Sequence, residues 1–129
     1  MSVWRLIPFR TADAFENMAT DEAIFRLMPL GRTPPTLRFY GWRPTAVSLG
    51  YFQNIEQECN LEGCRSSAVD VVRRPTGGKA VLHEDDLSYA LVARSDERPF
   101  PSDIQGAYRM IGRCLQEGLR RLGIDARPV

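Results

Sequence analysis

Two predicted strands are joined by a pair of glycines in the stretch Val72-Arg73-Arg74-Pro75-Thr76-Gly77-Gly78-Lys79-Ala80-Val81-Leu82-His83. Residues 73–79 contain three cations, and the next carboxylate along the chain is Glu84. Paired glycines allow positive φ and let backbone N–H groups approach a ligand closely. Arginine makes forked contacts with an anion, and lysine a point-charge contact. The residues alone fit a loop that binds a carboxylate or phosphate as well as they fit a solvated turn.

This stretch does not match the common phosphate-binding loops. A Walker A motif needs glycine at position 73 and Ser or Thr at position 80, where the sequence has Arg73 and Ala80. The dinucleotide pattern G-x-G-x-x-G is absent as well. His83 is the chain's one histidine. The residues alone favour a structural, hydrogen-bonded role for it over a ligand-binding one.

The elements around this stretch predict an α+β fold with a mixed or largely antiparallel sheet and flanking helices. Strands are predicted over 3–9, where Pro8 should end the strand, and over 36–40, 46–49, 69–73, 80–83 and 87–93. The strands 36–40 and 46–49 should form a hairpin. Helices are predicted over 14–28, 54–58 and from Ser102 and Asp103 to a stop at Gly123, with Thr11 and Asp13 as candidate caps of the first. The scattered apolar residues of helix 14–28 predict contacts on more than one side.

Composition places the chain among ordinary globular domains. Its 129 residues are 43% hydrophobic and 26% charged, with a net charge of +1. This balance argues against disorder, and no basic field suggests nucleic acid or an anionic membrane as a partner. No apolar run reaches the roughly 20 residues of a membrane span. Three cysteines are too few for a disulfide scaffold, so a cytoplasmic location is expected, and their spacing predicts no metal site.

Candidate nucleophiles are weak in this sequence. Cys114 lies on the predicted apolar face of the last helix, where a thiol usually packs. Cys59 and Cys64 lie in a polar stretch and are expected to be surface thiols rather than nucleophiles. A triad of Ser88, His83 and Asp86 can be assembled on paper, but the spacing does not support it.

The stretch around Gly77 resembles the signature of the lipoate–protein ligase and octanoyltransferase family. Three other stretches agree with it in order: Asn17-Met18-Ala19-Thr20-Asp21-Glu22-Ala23, Leu37-Arg38-Phe39-Tyr40-Gly41-Trp42 and Ser48-Leu49-Gly50-Tyr51-Phe52-Gln53. The resemblance runs from Trp4 to about Ala126. Ligases of the family usually carry a third glycine where this chain has Lys79. The lysine and the downstream Leu87-Ser88-Tyr89 resemble the cysteine-dependent octanoyltransferases more closely.

The resemblance implies a biotin/lipoate protein ligase-like catalytic domain. It implies transfer of an octanoyl group from octanoyl-acyl carrier protein to a lysine of a lipoyl-accepting protein such as glycine cleavage H protein. No cofactor is implied; ATP and Mg²⁺ would be needed only if the chain were a ligase. The residues implied to bind substrate are Arg73, Arg74, Thr76, Gly77, Gly78, Lys79 and His83. An apolar slot for the acyl chain could draw on Leu37, Phe39, Leu49 and Val72.

The resemblance fails at the nucleophile. The transferases of the family place their cysteine, and a lysine in a Gly-Arg-Lys motif, beyond the helix that is predicted here to end at Gly123. Residues 1–129 contain neither motif and are expected to form the N-terminal part of a single, truncated catalytic domain, inactive alone and without a catalytic residue. Two alternatives stay open: an ATP-dependent lipoate–protein ligase, and a non-catalytic binding module or one half of a two-chain enzyme.

Overall fold

A computed structural model describes residues 3–97 and 99–127 of the chain. Strands and helices alternate over these residues in the order β1 Arg5–Ala12, α1 Ala14–Leu27, β2 Thr36–Trp42, β3 Ala46–Leu49, α2 Ile55–Glu58, α3 Leu61–Ser66, β4 Asp70–Arg73, β5 Val81–His83, β6 Ser88–Val92 and α4 Ile104–Arg121. The α+β class is confirmed. Helix α3 was not predicted; its signal is Asn60, whose side chain accepts a hydrogen bond from the Gly63 N–H at 3.0 Å.

The strands form two mixed three-stranded sheets with the orders β1-β2-β6 and β4-β3-β5. In each sheet the central strand pairs in parallel with one neighbour and antiparallel with the other. The predicted hairpin of β2 with β3 is therefore wrong. Strand β2 extends to Trp42, and both of its hydrogen-bonding edges are already occupied, by β1 and β6.

Strand β1 runs through the proline that was predicted to end it. It lies at the edge of its sheet, and its register with β2 shifts between Ile7 and Arg10. A proline lacks an N–H group, so it is tolerated at a sheet edge or a bulge, and Pro8 lies at both. The prediction that Pro8 terminates the strand is wrong for this reason.

Helix α1 buries one stripe of residues rather than several sides. Asp13, one of the two candidate caps, is the N-cap and accepts a hydrogen bond from the Glu16 N–H at 2.7 Å. The buried residues recur every three or four positions: Ala14, Asn17, Met18, Asp21 and Ile24. Phe15 and Phe25 are exposed. The expectation of contacts on more than one side is therefore wrong. The apolar residues of the helix looked scattered because Asn17 and Asp21 occupy two positions of the buried stripe, whereas Phe15 and Phe25 lie outside it.

The main core joins α1 to both sheets. Its buried residues are Ala14, Met18, Tyr40, Trp42, Ala46 and Val72. Side chains alternate along a strand, so Leu37 and Phe39 lie on the face of β2 opposite Tyr40. The acyl slot expected from Leu37, Phe39, Leu49 and Val72 stays a prediction.

Residues from Arg94 onward form a second compact unit. Its helix α4 begins after Asp103, whose side chain accepts from the Gly106 N–H at 2.7 Å, and Gly123 follows the helix with φ of +80°. Both predicted ends of this helix are confirmed. Cys114 is exposed on it, so its predicted packing role is wrong. None of the helices in the described residues is both long and apolar enough to cross a membrane.

Candidate functional site

Two loops lie side by side where β3 and β4 end. One comprises Gly50 to Gln53; the other, residues 74–80, is called the glycine loop below. The Tyr51 N–H donates to the Thr76 carbonyl oxygen at 2.8 Å, which joins the two loops. Gly78 has φ of +100°, a left-handed conformation that favours glycine. Parallel pairing of β3 with β4 places Leu49 opposite Arg73 and so brings both loops to one end of the sheet.

The two arginines of the motif direct their guanidinium groups at backbone carbonyls. Nη2 of Arg74 donates to the carbonyl oxygens of Gly77 at 3.0 Å and Lys79 at 2.7 Å. Nη1 of Arg73 lies 2.8 Å from the carbonyl oxygens of both Gly50 and Gln53. Both cations thus hold the loops in shape. Their assignment to substrate binding stays a prediction.

Lys79 is exposed, as are Arg73, Thr76 and Gly77, whereas Arg74 is half-buried. Within residues 3–97 and 99–127, Lys79 takes part in no salt bridge. The open space around Gly77, where an added Cβ would meet no atom within 4 Å, leaves the loop backbone accessible from outside. The loop therefore exposes the charge of Lys79 and the backbone at Gly77 to solvent.

His83 is buried beneath this loop with both ring nitrogens engaged. Its Nε2 lies 2.8 Å from Ser48 Oγ, and its Nδ1 lies 2.9 Å from Asp86 Oδ2. The indole of Trp42 stacks on the imidazole at a centroid distance of 4.0 Å. This is the hydrogen-bonded structural histidine that the residues alone favoured. Its assignment to substrate binding stays a prediction.

Ser88 is not the serine that contacts His83, as a triad of Ser88, His83 and Asp86 would require. Its hydroxyl donates to Asp86 Oδ2 at 3.0 Å and accepts from Trp42 Nε1 at 2.9 Å. The serine that reaches the His83 ring is Ser48, on β3. Burial raises the pKa of Asp86, but the hydrogen bonds from His83 and Ser88 outweigh it and leave the pKa below its usual value. Asp86 is thus an ionised acceptor.

Sequence reasoning missed a buried polar cluster between α1 and β2. Arg38 donates to Asp21 Oδ1 and Asn17 Oδ1, each at 2.5 Å, and Tyr40 OH donates to Asp21 Oδ2 at 2.9 Å. Burial is the largest influence on the pKa of Asp21 and raises it, against the lowering effect of Arg38. The spacing carried a signal: Asn17 and Asp21 are one helical turn apart, and Arg38 and Tyr40 share one strand face.

The two cysteines of the first unit are the remaining candidate nucleophiles. Cys59 and Cys64 are half-buried. Burial raises the pKa of the Cys59 thiol, and Cys64 and Glu58 raise it further, so the thiolate is disfavoured. In the part of the chain that the structure describes, no three His, Cys, Asp or Glu side chains are grouped as metal ligands.

An open groove lies elsewhere, between α1 and the start of β1. Its volume is about 450 Å³, and its lining includes the apolar Ile7, Ala19 and Ile24 and the charged Arg5 and Arg32. The groove shares no lining residue with the glycine loop.

This geometry defines the class of protein. It is an α+β domain of two mixed sheets, with a glycine loop at the strand ends that two arginines hold in shape. Residues 13–129 match the family model described as the lipoyl protein ligase A/B catalytic domain, and the chain belongs to that family. The resemblance read from the sequence motifs is confirmed.

The relatives and solved structures that the chain matches include an octanoyltransferase and lipoate–protein ligases. The chain is 47% identical, over 93% of its length and 44% of the relative's, to the octanoyltransferase LipM of Moorella thermoacetica. It superimposes with a TM-score of 0.82 and 36% identity on lipoate-protein ligase A bound with ATP, covering 99% of this chain and 50% of that one. A bi-partite lipoate protein ligase from Thermoplasma acidophilum gives a TM-score of 0.81 at 35% identity, covering 100% and 49%. The chain thus spans about half the length of the relatives it matches.

Proposed function

We propose that this chain takes part in octanoyl transfer during protein lipoylation. The observation that carries the proposal is the loop geometry: two arginines brace the backbone, while the exposed Lys79 and the open backbone at Gly77 face outward. A positive charge beside exposed loop backbone suits the polar head of an acyl thioester. Similarity to an octanoyltransferase at 47% identity supports the same reading.

The proposed partners are octanoyl-acyl carrier protein as donor and a lipoyl-accepting protein, such as glycine cleavage H protein, as acceptor, in the cytoplasm. In the overall reaction the thioester C–S bond breaks and an amide C–N bond forms on the acceptor lysine. The carrier thiol leaves with the proton that the amine loses. No cofactor is required, because the thioester is already activated.

Within the proposed site the substrate-binding residues have two roles. Gly77, Gly78 and Lys79 meet the acyl head from the loop surface, with Thr76 beside them. Arg73, Arg74 and His83 shape the loop from below through the hydrogen bonds described above. We further propose that residues 1–129 form the N-terminal part of one catalytic domain, since the matched relatives are about twice as long.

A chimera tests the proposed activity directly. Residues 1–129 replace the matched 44% of the Moorella octanoyltransferase, and transfer of octanoate from carrier protein to a lipoyl-accepting protein is followed by mass spectrometry. The proposal expects transfer without ATP, and none from the 129-residue chain alone. A folded chimera that transfers nothing would contradict the proposal, as would full activity of the isolated chain.

A lipoate–protein ligase is the second candidate, favoured by the 36% identity to a ligase structure that is bound with ATP. A ligase would form an acyl-adenylate and release pyrophosphate. The same chimera, or the chain itself, is incubated with ATP, Mg²⁺ and free lipoate, and pyrophosphate is measured. Pyrophosphate release that needs lipoate would favour the ligase. The likeness to a bi-partite ligase supports a two-chain version of this alternative.

A further inference from the structure

Ser48 is a buried serine between two groups of the site, and no function considered above uses it. It lies on β3 with 2% of its surface exposed. Its Oγ lies 2.8 Å from His83 Nε2 and 3.1 Å from Arg74 Nη1. A serine hydroxyl offers one proton and two acceptor positions, whereas a guanidinium only donates. The hydroxyl therefore accepts from Arg74 and has its proton free for His83.

The other side of the imidazole fixes the direction of this hydrogen bond. His83 Nδ1 lies 2.9 Å from Asp86 Oδ2, and an ionised carboxylate can only accept. Nδ1 therefore carries a proton. In a neutral imidazole Nε2 is then the acceptor, which matches a proton donated by Ser48. The two hydrogen bonds agree on one tautomer of the ring.

Arg74 connects this pair to the glycine loop. Its Nη1 also donates to the Ser48 carbonyl oxygen at 2.9 Å, while its Nη2 donates to the Gly77 and Lys79 carbonyl oxygens. Rotation of the guanidinium would break its contacts with both carbonyls of the loop. The Ser48 hydroxyl is thus the link between the His83 ring and the arginine that shapes the loop.

We propose that Ser48 is a positioning residue: by donating to His83 and accepting from Arg74, its hydroxyl fixes the orientation of the glycine loop. The effect of that orientation on binding of the acyl head rests on the proposed function. The hydrogen bonds from Asp86 through His83 and Ser48 to Arg74 do not depend on it. Ser48, His83 and Asp86 have the distances of a serine triad. However, the burial of Ser48 and its contact with Arg74 keep its oxygen from an acyl donor, so it positions rather than attacks.

The single histidine of the chain makes the first test unambiguous, because only one imidazole contributes ¹⁵N signals. In the 129-residue chain the proposal expects a protonated Nδ1 and an unprotonated, hydrogen-bonded Nε2. Ser48→Thr keeps the hydroxyl, and Ser48→Val matches threonine in shape without it. Threonine should preserve the Nε2 shift, and valine should move it downfield. A protonated Nε2, or identical shifts in the threonine and valine variants, would overturn the proposal.

The second readout reports on the loop. The Tyr51 amide donates to Thr76 in the glycine loop, so its hydrogen exchange follows the loop's opening. The exchange should accelerate by up to about tenfold in Ser48→Val relative to Ser48→Thr, as expected for one lost hydrogen bond. Equal rates in the two variants would contradict the link through Arg74. If neither variant folds, Ser48→Cys and Ser48→Ala replace them with the same expectations.

A third measurement distinguishes a failure of the positioning role of Ser48 from a failure of the proposed function. Binding of a non-cleavable octanoyl-pantetheine analogue is measured for the unaltered chain and both variants. Weaker binding by Ser48→Val than by Ser48→Thr supports both ideas. If the unaltered chain does not bind the analogue while the ¹⁵N and exchange results are as expected, the proposed function fails and the positioning role stands. Equal binding by the two variants, despite binding by the unaltered chain, would overturn the effect of Ser48 on the site.

Discussion

The backbone of Gly50 lies so close to Gly78 that a Cβ atom on Gly50 would sit 1.9 Å from the Gly78 carbonyl oxygen. The atom in the way belongs to the backbone, so no side-chain rotation can relieve the contact. The loop after β3 and the glycine loop can therefore lie together only while position 50 has no side chain. This contact makes the shape of the site depend on two distant parts of the sequence.

Gly50→Ala is expected to force the two loops apart. Overpacking of this kind costs about 1–3 kcal/mol, which chemical denaturation can measure. Gly77→Ala is the matched control, because a Cβ there meets nothing within 4 Å and should change stability by less than about 1 kcal/mol. Equal effects of the two substitutions would mean that the loops do not meet as described.

Arg38→Met is expected to destabilise the first unit strongly. It leaves the Asp21 carboxylate and Asn17 without their guanidinium partner in a buried setting, and breaking such a pair costs about 3–5 kcal/mol. Adding Asp21→Asn removes the stranded charge and should recover part of this loss, as a double-mutant cycle in urea would measure. Strictly additive effects would contradict direct pairing.

Asp86→Asn is expected to change the acid limb of stability. The pKa of Asp86 lies below its usual value of 3.8 in the folded chain, so folding favours the ionised form. Its contribution is fully present above pH 3.8 and is lost as the pH falls below that value. The difference in unfolding free energy between the unaltered and Asn chains should shrink as the pH falls below 3.8. A difference independent of pH would contradict the ionised role.

Lys79→Ala is expected to weaken binding of the acyl donor while leaving the fold intact. A charged contact contributes about 1.5–3 kcal/mol, so affinity should fall at least about tenfold. Because Lys79 is exposed, stability should change by less than about 0.5 kcal/mol. Arg65→Ala removes an exposed cation on α3 and serves as the control with unchanged binding. A normal affinity with a lowered melting temperature would assign Lys79 a structural role instead.

The sequence predicted local structure better than the pairing of strands. The caps Asp13 and Asp103 were each one of two neighbouring candidates, and the stop at Gly123 was predicted, because each of these residues acts within one helical turn. The hairpin of β2 and β3 was wrong because short apolar runs do not reveal which strand edges are already occupied. Strand β1 was cut short because Pro8 reads as a breaker unless its place at an edge bulge is known.

In the candidate site, too, features that are local in the sequence were predicted and contacts between distant residues were not. The glycine loop was visible in the sequence because its glycines and cations are contiguous. Besides the nearby carbonyls that Arg74 contacts, Arg73 and Arg74 donate to carbonyls more than 20 positions away, those of Gly50 and Ser48, which no local pattern shows. The link between His83 and Ser48 spans 35 residues and escaped for the same reason, whereas its partner Asp86 is only three residues away.

The most direct measurement of the central claim maps a bound acyl head onto the chain by ¹⁵N-detected amide shifts. A non-cleavable octanoyl-pantetheine analogue is titrated into the 129-residue chain. The account predicts saturable shifts at Gly77, Gly78 and Lys79, with smaller ones at Tyr51 across the loop contact. Shifts confined to the groove between α1 and β1, or no shifts at a saturating concentration, would contradict it.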